Sequence, residues 1–97
     1  MRPFTFLVPA EQELLTSTKY YNQESPGLGD RFLADFLSLM ERLGRYPESG
    51  KRTSKRMRVA GLRSFPYDVV YRLEGDRLLV VAVAHQSRRS GYWKDRI

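Results

Sequence analysis

An apolar run from Leu78 to Ala84 stops abruptly at His85-Gln86-Ser87-Arg88-Arg89, with Tyr92 and Trp93 just beyond. That ending gathers most of the side chains able to do chemistry. His85 is the only histidine, and an imidazole that titrates near neutrality can act as general acid or base. The same ring can instead cap a strand end, and residue type alone leaves both roles open. Arg88 and Arg89, with Arg58 and Arg63 upstream, carry guanidinium forks that suit phosphate oxygens and partner carboxylates equally. Tyr92 and Trp93 offer ring faces on which a base could stack. Such a pair more often anchors a terminal segment, the role expected for Trp93. One histidine and no cysteine leave too few good ligands for a zinc centre, so no metal and no cofactor are expected. Gly27-Leu28-Gly29 is only superficially a phosphate loop, because it follows no strand and lacks the lysine or further glycine such loops need. No Ser-His-Asp or paired-carboxylate signature is present.

Charge points to the same half of the chain. The net charge is +6, yet from Arg45 onward 13 Lys/Arg stand against 5 Asp/Glu, whereas residues 1–44 hold 4 and 6. The basic half reads as a contact surface for nucleic acid or an acidic peptide, the competing reading being a solvated, solubilising face. The lack of cysteine excludes disulfides and fits a reducing compartment. Met1 to Phe6 lacks the apolar core of a signal peptide, and Leu78 to Ala84 is too short to span a bilayer. A small cytoplasmic protein without membrane contact is expected, with 97 residues forming one domain, 1–97, around a modest core.

Elements must position these groups. Phe4, Phe6 and Val8 alternate with Thr5 and Leu7 until Pro9, which predicts a short strand. Ala10 to Asn22 reads as a helix, with Ala10, Leu14, Thr18 and Tyr21 on one stripe and Leu15 beside it; Glu11 and Glu13 suit its first turn. Ser25-Pro26 predicts the N-cap and first position of a second helix. There Leu28, Phe32, Phe36, Leu39, Met40 and Leu43 recur at spacings of three and four, widened by Leu33 and Leu37, with Gly44 and Pro47 as stop signals. Glu48 to Arg56, polar and charged, reads as an exposed loop before a short strand near Met57 to Leu62. Phe65 to Leu73 and Leu78 to His85 predict a hairpin joined by Glu74-Gly75-Asp76. Tyr67, Val69, Tyr71 and Leu73 alternate with Asp68, Val70 and Arg72, so one set faces the helices and Arg72 is the outward basic candidate. The sum is an α+β fold in two layers, β-α-α-β-β-β, with a helical hairpin packed on a mainly antiparallel sheet.

The Gly27-Leu28-Gly29 hinge, the Tyr46-Pro47 helix stop, the strand Phe65-Pro66-Tyr67-Asp68-Val69-Val70-Tyr71 and the ending Val83-Ala84-His85-Gln86-Ser87-Arg88-Arg89 together resemble the RelE/ParE superfamily of bacterial toxins. These are also called plasmid stabilisation proteins, and the resemblance covers nearly the whole chain. It implies that fold and the toxin half of a type II toxin–antitoxin pair. The implied partner is a cognate antitoxin whose acidic, partly disordered segment folds on the basic toxin within a hetero-oligomer. RelE-like members cut messenger RNA in the ribosomal A site, whereas ParE-like members poison DNA gyrase. Cutting RNA needs activation of a 2′-hydroxyl, protonation of the leaving oxygen and charge stabilisation at phosphorus. RelE-like nucleases commonly carry an arginine after the tyrosine of the strand matching Tyr67 to Tyr71, and here that position is Asp68, whose carboxylate would repel the phosphate. If the chain were an endoribonuclease, His85, Arg88 and Tyr92 would be its catalytic candidates. As a gyrase inhibitor it would use Arg58, Arg63, Arg72, Arg88, Arg89, Tyr92 and Trp93 to bind target or antitoxin. The missing arginine favours the gyrase inhibitor; a ribosome-dependent endoribonuclease and a non-toxic antitoxin-binding member are the alternatives.

Overall fold

The computed structural model describes residues 2–97. Strand β1 (Phe4–Phe6) is followed by helices α1 (Val8–Glu24) and α2 (Leu28–Arg45), then by strands β2 (Lys51–Arg52), β3 (Arg58–Gly61), β4 (Tyr67–Glu74) and β5 (Arg77–His85), and by a short 3-10 helix, Lys94–Arg96. The strands form one sheet in the order β1-β5-β4-β3-β2. β1 runs parallel to β5, and every other pairing is antiparallel. The helical hairpin on a mainly antiparallel sheet is therefore as expected, with one strand more.

Both helices pack on one sheet face. Ala10 and Leu14 of α1 join Phe32, Phe36, Leu39, Met40 and Leu43 of α2 against Val69, Tyr71, Leu78 and Val80. Phe32 and Phe36 are fully buried, and each such side chain contributes on the order of 2 kcal/mol. Leu15 and Leu37 do not widen this face, being 58% and 47% exposed, because a helix lying on one sheet buries only a narrow stripe. No helix among the described residues is long and apolar enough to cross a membrane.

Several boundaries differ from the sequence pattern for local reasons. Val8 opens α1 instead of closing β1. Pro9 sits in the first helical turn, where its fixed φ fits and no N–H is needed. Ser25 is not the N-cap of α2; it caps the end of α1, its N–H donating to the Tyr21 carbonyl at 3.0 Å. The chain enters α2 through Gly27 at φ +88°, a conformation glycine adopts without steric cost. Gly29 lets the helices meet closely. Its N–H donates to Asn22 Oδ1 at 2.7 Å, and a Cβ there would lie 2.2 Å from the Thr18 carbonyl oxygen.

The sheet departs from the pattern too. The stretch read as a loop contains β2, whose two residues pair with Val59 and Arg58; both are exposed, so no apolar alternation marks them. The β4–β5 turn is two residues long, because Glu74 already pairs with Arg77, and Gly75 takes φ +60° at its first position. A bulge on β5 is more consequential. Val70 pairs with Ala82 and Tyr71 with Val80, leaving Val81 as the extra residue. Val81 and Ala82 consequently both join Val70 in a second apolar cluster, covered by Leu7, Met57, Val59 and Trp93. The sheet face opposite the helices is thus partly closed where simple alternation leaves it open. Leu73, next to the turn, is 47% exposed although it belongs to the helix-facing set.

Gly29→Ala should force α1 and α2 apart and cost about 1–3 kcal/mol, the usual range for an overpacked contact. A lower midpoint in urea unfolding with an unchanged slope would report it.

Candidate functional site

β1 covers β5 only as far as Val80, whose carbonyl accepts the Leu7 N–H at 2.9 Å. Beyond that point side chains take over the strand edge. The Val83 N–H donates to Glu13 Oε1 at 3.0 Å, and Arg96 Nη1 donates to the Val81 carbonyl at 2.9 Å. Glu13 and Arg96 also grip each other through two hydrogen bonds, each 2.9 Å, with side chains only 15% and 18% exposed. Tyr92 donates its hydroxyl to Glu13 Oε2 at 2.7 Å. Arg88 reaches the same oxygen at 3.4 Å, and its guanidinium lies 3.7 Å over the Tyr92 ring. One carboxylate on α1 therefore joins the end of β5 to the C-terminal segment.

The electrostatics follow from these contacts. Burial works against charging Glu13, but hydrogen bonds from Arg96, Tyr92 and the Val83 N–H, with the Arg96 charge, outweigh it and hold the carboxyl below its ordinary 4.5. Burial, then the hydrogen bond to the Glu13 carboxylate, pushes the Tyr92 phenol up to about 12. The hydrogen bond to Glu13 likewise raises Arg96.

The remaining candidates occupy separate places. His85 Nδ1 accepts the Ser87 N–H at 3.0 Å and lies 2.7 Å from Ser87 Oγ, so Nδ1 is engaged locally; the ring packs edge-on against Tyr67 at 5.0 Å. His85 and Arg88 share a groove of about 270 Å³ with Glu13, Ser17 and Tyr67. Arg89 is exposed and makes no ion pair or side-chain hydrogen bond among the described residues. Trp93 packs on the Val70, Val81 and Ala82 cluster, as a terminal anchor would. Arg58 donates to the Glu48 and Gly50 carbonyls at 3.2 and 2.9 Å. Arg72 pairs with Glu74, its Nε donating to Oε2 at 2.8 Å. Arg63 stands exposed at the β3–β4 turn, where Asp35 accepts its backbone N–H and that of Ser64 at 3.3 and 2.8 Å. Arg58 and Arg72 line one groove, Arg63 a second and Arg88 a third, so no single basic cradle unites them.

Residues 4–90 match the family described as ParE toxin of type II toxin-antitoxin system, parDE. The chain belongs to this family. Among solved structures it is similar to a chain of the chromosomal ParDE TA system from P. aeruginosa, with a TM-score of 0.72 and 15% identity over 88% of this chain and 96% of that one. At that identity the likeness is one of fold. No curated protein matches the chain. The stretch matched to the ParE toxin family takes in Glu13, His85 and Arg88, and ends before Tyr92, Trp93 and Arg96.

Sequence reasoning missed Glu13 and Arg96 as the centre of this cluster. Glu13 has a sufficient local explanation as a first-turn acid. Its pairing with a residue 83 positions away leaves no periodic trace.

Glu13→Gln should lower stability by about 2 kcal/mol, the scale of a charge-assisted hydrogen bond lost from a half-buried site, as read by denaturant unfolding at neutral pH. Because folding lowers the Glu13 pKa, its contribution is full above about 4.5 and lost as pH falls through the folded value; the variant should show a correspondingly weaker acid dependence. Tyr92 behaves oppositely. Its contribution is full below its ordinary 10.0 and lost as pH rises toward about 12, so Tyr92→Phe should remove the latest-titrating phenol from an ultraviolet titration.

Proposed function

We propose that the chain is a ParE-like toxin that acts by binding DNA gyrase and is neutralised by a cognate antitoxin. The observation carrying this reading is the engagement by Glu13 of Tyr92 and Arg88, two of the three would-be nuclease groups. A general acid or base works best with a pKa near the working pH, whereas the Tyr92 phenol is bound to a carboxylate and raised to about 12. Arg88, the candidate phosphate clamp, stands over Tyr92 beside Glu13, so an incoming phosphate would meet a carboxylate there. Asp68, where RelE-like nucleases commonly carry arginine, accepts a hydrogen bond from Gln86 at 3.1 Å, which adds a second anion near the end of β5. Binding needs none of these groups to exchange protons. Arg89 and the exposed half of Arg88 present cations suited to an acidic antitoxin segment or to carboxylates of gyrase. The likeness in fold to a chain of the chromosomal ParDE TA system from P. aeruginosa supports an antitoxin partner.

Purified gyrase should lose supercoiling activity or accumulate cleaved DNA when this protein is added, and the antitoxin should reverse the effect. Arg88→Ala and Arg89→Ala should weaken inhibition stepwise. Intact gyrase activity together with messenger RNA cleavage on ribosomes would establish the endoribonuclease reading instead. Intact gyrase with no growth arrest in cells would leave a member that only binds antitoxin.

A further inference from the structure

The β2–β3 hairpin carries the densest charge in the chain, and nothing described so far uses it. Lys51, Arg52, Lys55 and Arg56 fall within six residues that contain no carboxylate, and all four are exposed. Five cations elsewhere have acidic partners: Arg96 and Arg88 have Glu13, Arg72 has Glu74, Arg45 has Glu41 and Arg2 has Asp76; the remaining ones outside the hairpin are scattered along the sequence rather than clustered. Among the described residues, no ion pair involves the four on the hairpin.

The hairpin is nevertheless held in place. The buried Tyr71 hydroxyl donates to the Pro47 carbonyl at 2.8 Å and accepts the Gly50 N–H at 3.0 Å. A Cβ at Gly50 would lie 2.4 Å from that hydroxyl, so the backbone needs glycine there. Arg58 ties down the Glu48 and Gly50 carbonyls on the same approach. At the tip, the Thr53 N–H donates to the Met57 carbonyl at 2.9 Å, and Ser54 Oγ accepts the Met57 N–H at 3.2 Å. Residues 51–56 contribute no side chain to either apolar cluster. A buried phenol and a guanidinium thus fix a ribbon whose outer residues do nothing for the core.

We infer that this hairpin binds the phosphate backbone of duplex DNA. Unpaired cations on a fixed ribbon release counterions from a polyanion without first breaking internal ion pairs. Residues 51–56 include no aromatic ring, which removes the stacking platform that single strands use. They include no large apolar side chain either, which removes the buried anchor a peptide partner needs. The major groove of B-form DNA admits a two-stranded ribbon, whereas that of A-form RNA is too narrow for side chains to read. The hairpin forms the β2 edge of the sheet, opposite the β1 edge where Glu13 pairs with Arg88 and Arg96. The inference goes beyond gyrase binding and does not depend on it.

The test is fluorescence anisotropy of a labelled duplex of about two helical turns with the full chain, at stepped salt and without gyrase. The logarithm of affinity should fall against log salt with a slope of roughly −3 to −4, about 0.9 per phosphate for four contacts. The variant K51Q/R52Q/K55Q/R56Q should bind at least tenfold more weakly at low salt with a slope shallower than about −1, while its thermal midpoint stays near that of the parent. The control K19Q/R31Q/R77Q/K94Q removes the same net charge elsewhere and should keep most of the parent affinity. Equal loss in both variants would overturn the hairpin as the site. Absence of duplex binding, or equal binding to a single strand or to polyglutamate, would overturn duplex phosphate as the ligand.

Discussion

The structure depends on how the edge of β5 is closed after β1 runs out. β1 is three residues long, and Val81 and Val83, just past its end, are buried. A buried backbone N–H or C=O without a partner is costly, and an open strand edge invites pairing with other chains. Glu13 and Arg96 meet both demands at once. The carboxylate accepts the Val83 N–H, the guanidinium donates to the Val81 carbonyl, and the two bind each other. The bulge at Val81 works with this arrangement, because it sets Val81 and Ala82 on the face that Trp93 covers. A salt bridge from the first helix to the last turn thereby closes the edge and seats the lid of the second apolar cluster.

That closure ties up part of the basic charge of the chain. Near β5, Arg88 and Arg96 share an acidic partner, and Tyr92 is bound to the same carboxylate. A group spent in this way orders the surface and offers geometry to a binding partner. A phenol bound to a carboxylate and raised to about 12 is poorly placed to shuttle protons near neutral pH. At the opposite edge the hairpin cations have no such partner among the described residues, and their charge stays available over longer range.

Much of the fold was legible because it rests on local patterns. The three-and-four spacing from Leu28 to Leu43 marks a helix that buries Phe32, Phe36, Leu39, Met40 and Leu43, and the alternation from Tyr67 to Tyr71 marks a strand. The illegible parts have physical reasons. Two exposed basic residues make β2, so burial leaves no pattern there. One inserted residue at Val81 changes which face the following side chains occupy, and nothing about valine announces it. The site divides the same way. The residues at the end of β5 stand out by type, and Trp93 was expected to anchor. The Glu13–Arg96 pair spans almost the whole chain, so only the folded arrangement brings it into view.

Hydrogen exchange resolved at single amides, in the parent and in Glu13→Gln, tests the central role of this carboxylate most directly. The account predicts that the Val83 amide and the amides of residues 94–96 lose protection together, while the β3–β4 ladder keeps its own. Loss confined to Val83, with the C-terminal turn protected as before, would contradict it.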